Sequence, residues 1–276
     1  INHWDVSNVE NMSYMFAGAQ KFNQPLSHWD VSKVTNMRSM FFGAINFNQP
    51  LDNWNVGNVT DMTDMFGVAS TFNQPLEGWN VSNVTSMNGM FSNATRFNQP
   101  LERWDVSKVT SMGGMFNNTT RFNQPLAGWN VSKVTNMNYI LFNAVDFNQP
   151  LGNWDITNAG STRQLDHMLS KSGLDVTNYD QTLIGWAAQI PSLGDSVRLG
   201  AEGLAYSCRG EVARSQLITT RGWDIIGDSK TTQLPDPMVS IIQPVCFGNT
   251  GTILVSAQSV NDLYSFDNGI TFQSGN

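Results

Sequence analysis

Charge is what this sequence has least of: only 13% of its 276 residues are Asp, Glu, Lys or Arg, well under the usual quarter. The balance is −7, with a pI near 4.8, so a phosphate-backbone partner, which needs clustered Lys and Arg, is excluded. Two cysteines, Cys208 and Cys246, provide neither a disulfide framework nor metal-ligand spacing, and leave only their mutual pairing open. No apolar run reaches about 18 residues, so no helical membrane insertion is expected. Histidine is scarce: His3, His28 and His167 stand at no spacing from an acid and a nucleophile that would make a triad or a zinc site. The chain opens at Ile1-Asn2-His3-Trp4, inside a repeat and without a signal segment, and reads as a piece of something longer.

What is present is periodicity. Trp4, Trp29, Trp54, Trp79, Trp104, Trp129 and Trp154 stand 25 residues apart, and Phe-Asn-Gln-Pro-Leu precedes each from Trp29 onward, first at Phe22 and last ending at Leu151. A spacing kept without insertion or deletion implies identical turns stacked in register, because a slip in one would be felt by both neighbours.

In the turn 22–44 the apolar positions are Phe22, Leu26, Trp29, Val31, Val34, Met37, Met40, Phe41 and Ala44. From Val34 they fall at i, i+3, i+6, i+7 and i+10, the pattern of a short helical face that Ser32 or Thr35 could cap. Residues 26–31, which follow Pro25 and contain Trp and Val, suit a brief strand. The expected fold class is therefore an α/β repeat solenoid, leucine-rich-repeat-like, with short parallel strands on one face and short helices on the other.

Asn23 and Gln24, repeated in every turn, are expected to hydrogen-bond up and down the stack as neutral amide columns rather than to hold a ligand. The methionine pairs from Met12/Met15 to Met112/Met115 read as core. Lys33, Lys108 and Lys133 share one repeat position and are expected to balance nearby acids. The residue after each Trp alternates between Asp and Asn (Asp5, Asp30, Asn55, Asn80, Asp105, Asn130, Asp155), which relieves the repulsion of an unbroken acidic stack. Calcium could relieve it too, but no loop has the dense ligand set of a calcium site, so no cofactor is expected.

The turns differ most at the two residues before each Trp. His3, Ser27, His28, Asp52, Asn53, Glu77, Glu102 and Arg103 are expected on the strand side facing solvent, and are the candidate ligand-binding residues. Unconstrained surface is the competing reading. Glu77 and Glu102 occupy equivalent sites one turn apart, near the carboxylate separation of a retaining glycosidase. An open face without a flanking pocket makes that spacing a coincidence, and no catalytic residue is assigned.

After the repeats (1–159), residues 160–230 are expected to form an α/β C-terminal cap, since a stack needs an atypical unit over its apolar end. Helices are expected over 162–171, 178–189 and 211–220, and strands over 197–200 and 223–226. Residues 231–243 read as a linker stiffened by Pro235 and Pro237. Residues 244–276 read as the opening of an immunoglobulin-like β-domain, with strands over 252–257, 264–266 and 270–272 and a turn at Asp267-Asn268-Gly269.

The pattern Trp-Asp-Val-Ser-Lys-Val-Thr-Asn-Met, then Met-Phe-x-x-Ala-x-x-Phe-Asn-Gln-Pro-Leu, resembles the BspA-like bacterial surface-protein repeat, a leucine-rich-repeat relative. The stretch 179–186, with 199–201 and 222–228, resembles the segment that follows such repeats in Bacteroidetes surface proteins. Residues 244–251 with 264–269 resemble the start of the SprB-type repeat of gliding-motility adhesins. These resemblances imply a large cell-surface adhesin outside the bacterial outer membrane, exported by the type IX secretion machinery. Its partner would be an extracellular surface, a polysaccharide, or a host or prey cell protein. They also imply that Asp195-Ser196-Val197 is an O-glycosylation acceptor of that phylum. No catalytic residue carries over. A spacer that holds a separate adhesive domain away from the cell is the alternative, and a glycan-processing enzyme the remote one.

Overall fold

The computed structural model describes residue 1, residues 3–158 and 164–231, and the strand segments 239–242, 252–255, 263–264 and 273–274. Within 3–158 each 25-residue unit is a succession of tight turns. In the second unit, Met40 N–H closes on the Met37 carbonyl, Phe42 on Ser39, Ala44 on Phe41 and Phe47 on Ala44. The intervening N–H groups leave the unit: Met37, Ser39, Phe41 and Gly43 donate to the carbonyls of Asp61, Thr63, Met65 and Gly67 at 2.7–3.0 Å. The same exchange recurs between units, and parallel bridges join Asn11, Asn36, Asp61, Ser86, Ser111 and Asn136 in one line. Backbone polar groups are thus satisfied half within a turn and half between turns.

This reverses the expected layout of a unit. The inter-unit ladder runs through 36–43, where a helical face was expected, whereas 26–31 is turn, with Trp29 N–H closing on Leu26 and Val34 on Val31. The physical reason lies in two left-handed residues per unit. Ser39 (φ 52°) and Gly43 (φ 67°) are the third residues of the turns 37–40 and 41–44, the position at which a type II turn demands positive φ. Tyr14, Asp64, Gly89, Gly114 and Tyr139 match the first position, and Gly18, Val68, Asn93, Asn118 and Asn143 the second. An α-helix cannot continue through such residues. Consecutive four-residue turns bring the chain back to the core every third or fourth residue, as a helix does, which is why the spacing imitates one.

The apolar residues fill a continuous core: Val34, Met37, Met40, Phe41, Ala44, Phe47 and Leu51 are fully buried, as are most of their equivalents. Ring centroids lie 5.5–5.8 Å apart along the Phe16-Phe41-Phe66-Phe91-Phe116 column. They lie 6.0–6.1 Å apart from Phe47 to Phe147 and 6.3–6.5 Å apart in the Trp4/Trp29, Trp54/Trp79 and Trp129/Trp154 pairs. Hydrogen-bonded backbone in a ladder stacks at about 4.8 Å. The units therefore fan apart from the ladder toward the tryptophans, and the ladder lies on the inner side of the bend.

Polar columns run beside the core as the amide repetition led one to expect. Asn48, Asn73, Asn98, Asn123 and Asn148 each donate a backbone N–H to the Oδ1 of the Asn one unit earlier at 2.9–3.0 Å. The neighbouring Gln Nε2 donates to the same oxygen. The indole N–H groups of Trp54, Trp79, Trp104, Trp129 and Trp154 donate to the carbonyls of Leu26, Leu51, Leu76, Leu101 and Leu126.

The ladder does not stop with the repeats. Met137, Tyr139, Leu141 and Asn143 donate to Gln164, Asp166, Met168 and Ser170, so the described part of the expected helix 162–171 is another rung with its own left-handed His167 and Lys171. Leu165 bridges Leu199, and β1 (Arg198–Gly200) pairs in parallel with β3 (Asp224–Ile226). Helix α1 (Val176–Ala187) connects these rungs, with Asp175 as its N-cap. Trp186 Nε1 takes the Leu151 carbonyl at 3.1 Å, and the Asp175 N–H and Asn178 Nδ2 take Asn148 Oδ1. A helix thereby supplies the bonds that another repeat would have made. It fits because Gly185 lies against Gly152, where a Cβ on either would run into backbone. Helix α2 (Cys208–Arg221) is capped by Ser207 and ends at left-handed Gly222, and β2 (Ala205–Tyr206) pairs with β4 (Ser229–Lys230).

Beyond it, β5 (Val239–Ile242) pairs antiparallel with β6 (Thr252–Val255), and β7 (Leu263–Tyr264) with β8 (Gln273–Ser274). A strand therefore begins inside the stretch 231–243 that composition marked as linker, Pro residues being confined to its first half. Residues 232–238, Cys246 and the expected turn 267–269 lie outside the described residues.

Candidate functional site

The pre-tryptophan residues occupy the two middle positions of the turns that close Trp N–H onto Leu carbonyl, as in 26–29, 51–54, 76–79 and 101–104. His3, His28, Asp52, Asn53, Glu102 and Arg103 are exposed, and Ser27 and Glu77 are half-buried. Both solvent exposure and a place on a strand face were expected; six of the eight are exposed, but all lie in turns rather than on a strand. These turns flank the widely spaced tryptophans on the outer side of the bend, away from the ladder. Of the set, Arg103 Nε and Glu77 Oε1 come together at 3.4 Å. An exposed pair of this kind contributes little to stability. Glu77 therefore faces a guanidinium, which argues against the two-carboxylate arrangement with Glu102.

The acids after each Trp act locally. Asp30 accepts from the Ser32 backbone N–H at 3.0 Å, and Asp5 and Asp105 treat Ser7 and Ser107 likewise. Hydrogen bonds from these serines hold the carboxyls of Asp5, Asp30 and Asp105 below the usual carboxylate range. The lysine column balances the nearby acids through space, Lys33 lowering the Asp5 and Asp30 carboxyls and Lys108 and Lys133 that of Asp105, while Lys33 and Lys108 donate their direct hydrogen bonds to Asn8 and Asn83 of the preceding unit.

The inner face is where side chains converge. Its two columns are the left-handed position, Tyr14, Ser39, Asp64, Gly89, Gly114, Tyr139 and His167, and the position three residues later, from Ala17 and Phe42 to Asn117 and Phe142. Tyr14, Phe42 and Tyr139 are 56%, 41% and 40% exposed. Arg38 Nε donates to the Tyr14 hydroxyl at 3.0 Å, and that bond raises its already high pKa. Burial pushes the Asp64 carboxyl up against the opposing pull of Arg38. At the other end Tyr139 stacks on His167 at 4.8 Å, meets Phe142 edge-on at 5.5 Å, and Lys171 Nζ stands 5.5 Å over Phe142. Two buried atoms of this face, Asn117 Oδ1 and His167 Nδ1, have no hydrogen-bond partner. Sequence reasoning passed over it; the signal was available as aromatic residues at positions where sister units carry Ser, Asp, Gly or Asn.

The family described as Mycoplasma protein of unknown function, DUF285, matches residues 1–94 and, in an overlapping second match, 73–180. The chain belongs to this family. The matches begin at the first unit and run into α1, so they cover the rungs on which both faces are built. They accord with the resemblance to BspA-like repeats, and a surface-protein repeat is the role that fits them. No curated protein and no solved structure matches the chain. Among the described residues no three His, Cys, Asp or Glu are grouped to hold a metal ion, and no helix is long and apolar enough to cross a membrane.

Proposed function

We propose that this chain is a non-enzymatic segment of a bacterial cell-surface adhesin, a leucine-rich-repeat-like solenoid stiffened by its ladder and amide columns. The observation that supports this most is the unbroken line of inter-unit hydrogen bonds from 11–18 to 224–227, which presents equivalent exposed positions at regular intervals on two faces. Weak contacts repeated along such an array add up to firm attachment. The resemblances of 179–228 and 244–269 extend the proposal to a type IX-secreted gliding-motility adhesin of Bacteroidetes, with SprB-type domains following the stack.

Adhesion of the full chain to glass, polysaccharide arrays and matrix proteins tests the proposal. It should be compared with a variant whose pre-tryptophan pairs are Gly-Ser and with one altered on the inner face. Adhesion that either variant loses supports the adhesin and identifies the face. Absence of adhesion by the unaltered chain favours the spacer, which the local use of Asp5, Asp30 and Asp105 also suits.

A further inference from the structure

We infer that the inner face of the stack is a binding trough for an extended, uncharged β-linked polysaccharide; the inference rests on the adhesin reading for its biological role. At one end of the trough stand the exposed rings of Tyr14 and Phe42, and at the other the exposed ring of Tyr139 beside the half-buried ring of Phe142. The Phe42 ring lies across Gly67, where a Cβ would come within 2.8 Å of it, so the missing side chain lets the ring lie along the face. Between the two ends the columns carry Gly89, Gly114, Ser92 and Asn117, which leave the face low and lined with amides and hydroxyls.

Flat aromatic surfaces backed by neutral hydrogen-bonding groups match a sugar chain, whose rings have apolar faces and hydroxyl edges. Tyr14 and Tyr139 are five ladder steps apart, about 24 Å at the spacing of hydrogen-bonded strands. Each step is of the same order as the rise of an extended β-linked hexose chain, so successive sugars meet successive rungs. Charges of both signs stand close together on the face: Arg38 near Asp61 and Asp64, Arg198 3.7 Å from Asp166, and Lys171 over the Phe142 ring. No field of one sign is left to select a polyanion or an acidic peptide.

The test is affinity electrophoresis of the full chain through gels containing hydroxyethyl cellulose, amylopectin or hyaluronan. Retardation is expected in the β-glucan alone. Tyr14→Ala and Tyr139→Ala should each weaken it roughly three- to tenfold, under conditions where urea titration shows each variant still folded. Tyr139→Phe should retain it, and Ser27→Gly with His28→Ser should leave it unaltered. Gly67→Ala, which tips the Phe42 ring, should weaken it as well. Equal retardation in all three polymers, none in the β-glucan, or full retardation of the Tyr14→Ala/Tyr139→Ala double variant overturns the inference. A chain that adheres to protein-coated surfaces while passing freely through β-glucan refutes the trough and leaves the adhesin standing.

Discussion

Val68 stands where its sister units carry Gly18, Gly43, Asn93, Asn118 and Asn143, and it is held at φ 60°. For an L-residue the left-handed region costs about 1–2 kcal/mol, and branching at Cβ places valine at the upper end of that range. The backbone bond that fixes this conformation, Val68 N–H to the Ser92 carbonyl at 2.7 Å, is independent of the side chain, and Asn93 makes the same bond to Asn117 at 2.7 Å. Val68 is only half-buried, so little apolar burial is lost on replacement. Val68→Asn is therefore expected to stabilise the chain by about 1 kcal/mol. Val68→Gly relieves more strain but returns roughly 0.5–1 kcal/mol through the freer unfolded chain, and should fall between the two. Asn93→Val, the reciprocal change one rung on, should cost a similar amount. Urea titration followed by tryptophan fluorescence measures all three against the parent. If Val68→Asn fails to raise the midpoint while Asn93→Val leaves it unmoved, left-handed turns are not what shapes the unit.

Asn98→Ala removes the acceptor of the Asn123 N–H and the Gln124 amide and is expected to cost about 1–3 kcal/mol by the same titration; Asn98→Asp, which keeps the acceptor, should cost less. Gly185→Ala drives a methyl into the Gly152 backbone and should destabilise α1 docking by about 1–3 kcal/mol, seen as faster proteolysis within 176–231. The Tyr179 hydroxyl donates to Asp228 at 2.9 Å, and burial followed by that carboxylate raises its pKa well above 10.0. The stability this proton confers is complete below the unfolded tyrosine pKa and is lost as pH rises through the folded one. Denaturant midpoints should therefore fall in strong alkali, and Tyr179→Phe should flatten that decline.

The length of the repeat, its core residues and its amide columns were legible because they rest on identity from unit to unit. Helices near 178–189 and 211–220 and strands near 197–200 and 223–226 were legible from local apolar patterning to within a few residues, although their caps, Asp175 and Ser207, were not. The internal layout of a unit was not, because turns through Ser39 and Gly43 return Met37, Met40, Phe41 and Ala44 to the core at helical spacing. That error displaced the candidate site: with the strand assigned to 26–31, Ser27 and His28 seemed to line a sheet, whereas the ladder residues Tyr14, Arg38 and Phe42 seemed to sit on a helix. The rung at 164–171 was hidden because the sequence period lapses after Trp154 although the hydrogen-bond period continues.

The inter-unit hydrogen bonds point along the long direction of the stack, and this orientation decides how it responds to tension. A pull at its ends puts the interfaces in series under one tension, so the weakest gives way first and units peel singly. Each released unit exchanges about 5 Å of folded rise for roughly 85 Å of extended chain. A tether built this way yields in steps, dissipating a sudden load while the units still stacked keep their grip.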